Sequence, residues 1–109
     1  MIQPTTSFKD NLNNLPPVDG IVRIELINSD GAIVSTIENQ PGKQGSLAVY
    51  QYLHKVCGNI DTKAAKHGLE VFAEHTADAK NRPGAHPNID ILLEIITNGT
   101  SLDVRIVST

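Results

Sequence analysis

The segment Ile21–Glu38 limits what this chain can fold into more than any other. Ile21–Ile27 alternates, with Val22, Ile24 and Leu26 on one side and Arg23 and Glu25 on the other. That period of two fits a strand with one face buried. Ala32–Glu38 repeats the pattern, with Ile33 and Ile37 expected inward. Between them, Asn28-Ser29-Asp30-Gly31 is a turn cluster whose glycine accepts positive φ. Two such runs about an Asp-Gly turn predict an antiparallel hairpin.

The rest of the chain alternates helical and extended patterns. Ser7 is expected to cap a short helix that runs to Leu15, with Phe8, Leu12 and Leu15 on one face, before Pro16-Pro17 ends it. Gln40–Gly45 reads as a loop. Ser46 is expected to cap a helix over Leu47–Cys57, with Val49, Leu53 and Val56 at helical spacing and Gly58 as the stop. Asp61 caps a shorter helix, Thr62–His67, ended by Gly68. Leu69–His75 is predicted to be a strand, with Leu69, Val71 and Ala73 on one face. Residues 76–87 read as a polar loop. Pro87 suits the first turn of a helix whose apolar stripe is Ile89, Leu92, Leu93 and Ile96, stopped by Asn98-Gly99. Leu102–Val107 is expected to be the last strand, with Leu102, Val104 and Ile106 inward.

This order predicts one α+β or α/β domain. Its four-stranded mixed sheet would hold the hairpin as its antiparallel part and helix-connected strands as the remainder. About three helices would cover it. Residues 1–17 form an N-terminal arm or short helix, and residues 18–109 the globular body. At 109 residues there is room for one core. Aromatics are only 4% of residues and Trp is absent, so that core must be built from Ile, Leu and Val.

Composition excludes several roles. The net charge is −3 and no basic run occurs, so no nucleic acid or anionic membrane partner is expected. The single cysteine, Cys57, cannot form an internal disulfide and fits a reducing compartment. The first residues lack the basic and apolar regions of a signal peptide, and no apolar run is long enough to span a membrane. A cytoplasmic location is the expectation. Asn98-Gly99-Thr100 has the form of a glycosylation sequon and is read as a turn.

Two stretches carry candidate chemistry. Pro41-Gly42-Lys43-Gln44-Gly45-Ser46 joins a strand to a helix. Free N–H groups at a helix start, two glycines and a lysine suit a phosphate or carboxylate. It is not a P-loop, because the lysine precedes the second glycine. Turn and cap chemistry alone also accounts for these residues. The second stretch runs from Glu74 to Asp90. His75, Asp78, His86 and Asp90 can converge as metal ligands or as an acid–base set. Their spacing matches no compact metal motif, and no metal or cofactor is expected. On the structural reading, Thr76 and Asp78 satisfy backbone N–H groups, Asp90 favours the helix dipole and His86 caps the helix. That reading leaves His75 and Arg82 without a role. His54 and His67 are read as late-helix residues. Cys57, also at a helix C-terminus, is read as a poor nucleophile. Tyr50 and Tyr52 face different sides of one helix, and one of them is expected in the core.

Val18-Asp19-Gly20-Ile21, Pro41-Gly42-Lys43-Gln44-Gly45-Ser46-Leu47-Ala48-Val49-Tyr50, Ala73-Glu74-His75-Thr76-Ala77-Asp78-Ala79 and Pro83-Gly84-Ala85-His86-Pro87-Asn88-Ile89-Asp90 resemble the signatures of a family of short bacterial proteins, a domain of unknown function. The resemblance covers nearly the whole chain. It implies a bacterial source and brings no activity or catalytic residue with it.

Three functions follow from the residues. The first is binding of a small anionic molecule by Lys43, Gly45, Ser46, His75, Asp78, Arg82 and His86. This requires the loops 41–46 and 75–88 to share one end of the sheet. The second is a structural or interaction module acting as a homodimer through an exposed strand edge. The third is a small enzyme, with Glu74 or His75 as base and His86 as acid.

Overall fold

The computed structural model describes all residues, Met1–Thr109. The hairpin forms where the alternation requires it. Strand β1 (Ile21–Ile27) pairs antiparallel with β2 (Ile33–Glu38), Ile24 opposite Ile37. The last strand, β3 (Asp103–Ser108), pairs antiparallel with the other edge of β1, Ile24 opposite Ile106. The sheet is three-stranded and wholly antiparallel, in the order β2-β1-β3.

Five helices pack with it: α1 (Phe8–Leu12), α2 (Gln44–Cys57), α3 (Thr62–Phe72), α4 (Glu74–Asn81) and α5 (Pro87–Asn98). The result is a single α+β domain. The expected fourth strand and mixed pairing are absent, and the helices are five rather than about three. One segment explains both differences. Leu69–His75 is not a strand: it holds the end of α3 and the start of α4. Its short alternation is overruled by a longer helical pattern, since Ala64, Ala65, Gly68, Val71 and Phe72 are all buried at i, i+1, i+4, i+7 and i+8.

Gly68 accordingly does not stop a helix. It lies inside α3, where a Cβ would come within 2.9 Å of methyls on both Leu53 and Leu92. The absent side chain lets α3 approach α2 and α5. The break comes later, at Ala73, the one non-glycine residue with positive φ, at 53°. The Thr76 hydroxyl donates to the Leu69 carbonyl across that break at 2.6 Å.

Local rules account for the remaining elements. Ser7 caps α1 by accepting the Asp10 N–H, and Asp61 caps α3 by accepting that of Ala64. Helix α5 starts at Pro87 and ends at Gly99 in the left-handed region. Helix α2 begins earlier than expected: Lys43 occupies the N-cap position with no side-chain bond, and Ser46 lies within the first turn. Val22, expected inward, is exposed because the register shifts between Ile21 and Arg23. Ile33, also expected inward, is 49% exposed at the end of the hairpin, beyond a second shift at Ile27.

The core is aliphatic, as the shortage of aromatics requires. Ile24, Leu26, Leu47, Val49, Leu53, Ile60, Val71 and Leu92 are fully buried. Both tyrosines of α2 join it. Tyr50 donates its hydroxyl to the Asn88 carbonyl at 2.6 Å, fixing the start of α5, and burial pushes its ionisation far up. Tyr52 accepts the Ile2 N–H at 2.9 Å and shares a 2.7 Å hydrogen bond with His67 Nε2. His67 lies within α3, not near its end, and burial lowers its pKa. Asn11 is wholly buried yet satisfied, donating to the Val71 carbonyl and accepting from Thr5. On the opposite sheet face, Glu25 is covered by Arg105 and Arg23, whose hydrogen bonds, that of Arg105 first, lower its pKa.

Candidate functional site

Helix α4 is what the sequence pattern concealed, and it arranges the site. Glu74 opens it, and its carboxylate accepts the Phe8 N–H at 2.7 Å. That bond holds the Glu74 pKa down, helped by the residue's own backbone N–H. One turn on, Asp78 sits four residues before Arg82, the spacing at which an ion pair forms along a helix. Arg82 Nε donates to Asp78 Oδ1 at 2.9 Å, and its terminal nitrogen pairs with Oδ2. His86 Nε2 meets the same Oδ2 at 2.6 Å. Arg82 first, then His86, hold the Asp78 carboxyl far below the usual carboxylate range.

The link from α4 to α5 is therefore tied at both ends. Asp78 holds Arg82 and His86, while Asp90 accepts the Gly84 N–H at 3.0 Å. Asp90 is thus committed to the turn. His75, Asp78, His86 and Asp90 do not converge, and no group of three or more His, Cys, Asp or Glu side chains is placed to hold a metal.

His75 is the residue with no structural bond to explain it. Its ring packs edge-on against Phe8, with centroids 5.1 Å apart, and lies 5.5 Å from the His86 ring. Phe8 in turn stacks on Phe72. Both imidazoles line a cavity of about 530 Å³. Its other walls come from far apart in sequence. Ser35, Thr36 and Ile37 of β2 form one side; Gly42, Lys43, Gly45 and Ser46 bring the start of α2; Pro87, Asn88 and Ile89 bring the start of α5.

The two loops singled out in the sequence thus face one space. Lys43, Gly45, Ser46, His75 and His86 line it. Asp78 and Arg82 stand behind His86, and Glu74 borders a shallower depression with Thr5, Thr6 and Lys80. Ser35, Thr36 and Phe8 were not foreseen. Only Phe8 carried a signal, as the leading residue of an amphipathic arm. Cys57 stands apart from this site, and partial burial together with the nearby Asp61 raises its pKa.

Chemically, the cavity wall is rich in donors and has no carboxylate. Lys43 is its fixed cation. No side chain caps α2, so the amides of its first turn face outward from the helix without a capping acceptor. His86 offers an imidazole whose Nε2 is engaged by a carboxylate, an arrangement that fixes the tautomer.

Residues 8–106 match the family described as an uncharacterized protein conserved in bacteria, DUF2322. This chain belongs to DUF2322. The match takes in both loops of the cavity, helix α4, β1, β2 and most of β3, so the whole site lies within the DUF2322 region. No curated protein and no solved structure matches the chain. No helix of this DUF2322 protein is long and apolar enough to cross a membrane.

Proposed function

We propose that this protein is a binding domain for a small anionic molecule, held in the cavity between the start of α2 and the His75–His86 pair. One observation carries this reading. In a chain of net charge −3, the fifteen residues around the cavity include a lysine and two histidines but no aspartate or glutamate. The wall is therefore positive where the chain as a whole is negative. Hydroxyls of Ser35 and Ser46 add donors, and the volume falls within the range of small-ligand sites.

The test is a thermal-shift series with phosphate, phosphate monoesters, mono- and dicarboxylates, repeated on Lys43→Ala. A ligand present at 100 times its dissociation constant adds about 2.7 kcal/mol of stability, easily seen as a rise in Tm. At least one anion is expected to raise Tm in the native protein, and less so in the variant. If no anion stabilises the protein, the reading fails.

A second reading rests on β2. It is an edge strand, and Ile33 and Val34 are 49% and 51% exposed. Such an edge supports homodimerisation through strand pairing. Light scattering across a concentration series tests it, and a monomer throughout would exclude it. A cytoplasmic location is proposed alongside both readings, on the single unpaired cysteine.

A further inference from the structure

We infer that the cavity takes an organic phosphate monoester as its dianion, and that the His75–His86 pair gains a proton when it binds. This rests on the anion-binding reading and narrows it to a ligand class. The fixed charges around the cavity decide the balance. Lys43 is the single permanent cation on the wall. Asp78 lies behind His86, and its charge is matched by Arg82. A singly charged anion is balanced by Lys43 alone. A phosphoryl dianion leaves one negative charge over, which is costly to keep in a partly enclosed cleft.

The two imidazoles can supply the missing charge. Their ring centroids are 5.5 Å apart, so both can reach one phosphoryl group. His86 has Nε2 on Asp78, which leaves Nδ1 as its working nitrogen, and neither nitrogen of His75 is hydrogen-bonded within the chain. A proton gained at these positions converts an acceptor into a donor aimed at an anion. Asp78 steadies the imidazolium of His86 and is a positioning residue, since it does not line the cavity. Of the other charges near the pair, Arg82 is engaged on Asp78 and Glu74 on the Phe8 N–H, and Lys43 shares the cavity wall. The apolar walls from Phe8, Ile37 and Ile89 would be left bare by inorganic phosphate, and an ester group covers them.

The test is calorimetric titration with phenyl phosphate and phenyl sulfate at about pH 8, where the monoester is a dianion and the sulfate stays singly charged. Each is run in two buffers of unlike ionisation enthalpy, so that protons taken up are counted. The native protein is expected to bind phenyl phosphate at least about tenfold more tightly than phenyl sulfate, with net proton uptake. Lys43→Ala is expected to weaken both ligands. His75→Asn with His86→Asn is expected to abolish the uptake and the preference, its folding checked by circular dichroism. Equal affinities, or no uptake by the native protein, would overturn the inference even if that variant did not fold. Binding of carboxylates without phenyl phosphate would overturn it and leave the anion-binding reading standing. Binding of no anion at all would remove both.

Discussion

Oδ2 of Asp78 accepts the Nε2–H of His86 at 2.6 Å, and the same carboxylate holds Arg82, so one side chain closes the turn from α4 to α5. Asp78→Asn removes that charge. The carboxyl is depressed in the fold by Arg82 and then His86, from an ordinary value of 3.8. A depressed folded pKa means the unfolded chain binds protons more readily as pH falls. The stabilisation is therefore complete above the ordinary value and is lost as pH drops toward the folded one. The variant is expected to melt lower than the native protein near neutral pH, the gap closing in strong acid. The effect is modest, because the pair is solvent-exposed. Melting curves across pH check this, and a gap unchanged into strong acid would refute it.

Gly68→Ala tests the approach of α3 to its neighbours. The new methyl would meet terminal methyls of Leu53 and Leu92 at 2.9 Å, and both leucines are fully buried. Overpacking of this kind costs about 1–3 kcal/mol, against a helix-propensity gain of about 1 kcal/mol. A net loss of roughly 1 kcal/mol is expected in urea denaturation. A variant as stable as the native protein would show that the leucines repack freely.

The strands and α5 could be read from the sequence because each depends on local signals. Alternation defined β1, and Pro87 with Gly99 bounded α5. Helix α3 could not be read beyond His67, because its packing face uses Ala64, Ala65 and Gly68. Small residues give little hydrophobic signal, and Gly68 mimics a terminator when its tertiary neighbours are unknown. Helix α4 is only eight residues long and almost wholly polar, with Ala79 as its one buried residue. It is held by Asp78, Thr76 and Glu74 and not by an apolar stripe. Reading 69–75 as strand and 76–87 as loop hid the Asp78–Arg82 spacing, and with it the support of His86. Lys43, Gly45, Ser46, His75 and His86 could be named in advance from residue type and helix-start position. The wall supplied by Ser35 and Thr36 could not, because it depends on which strand lies at the edge.

Ala73→Gly is expected to stabilise the protein. Ala73 separates α3 from α4 with φ at 53° and ψ at −119°, a conformation that a Cβ opposes. Such positions cost of order 1–3 kcal/mol, while glycine costs up to about 1 kcal/mol through the freedom of the unfolded chain. The net gain expected is about 1 kcal/mol, read as a higher urea midpoint with an unchanged slope. A lower midpoint would place no strain at the break. The strained residue directly precedes Glu74 and His75, so the same variant bears on how rigidly His75 is presented.

His67 gives the protein a second pH dependence, opposite in origin to that of Asp78. Burial lowers its pKa from the ordinary 6.5, outweighing the attraction of Glu70, while the N-terminal ammonium lowers it slightly further. The neutral ring accepts the Tyr52 hydroxyl at Nε2, and Tyr52 in turn accepts the Ile2 N–H. Because the folded ring resists protonation, the unfolded chain binds the proton first as pH falls below 6.5. Stability is expected to be full above that value and to decline through the mildly acidic range, levelling off once the folded ring is itself protonated. His67→Gln retains a hydrogen-bonding side chain without a titrating proton, and should flatten this part of the profile. Hydrogen exchange at the Ile2 amide should accelerate over the same pH interval in the native protein and not in the variant. A native profile that stays level between neutral pH and the carboxylate range would show that the His67–Tyr52 contact does not couple the N-terminal segment to protonation.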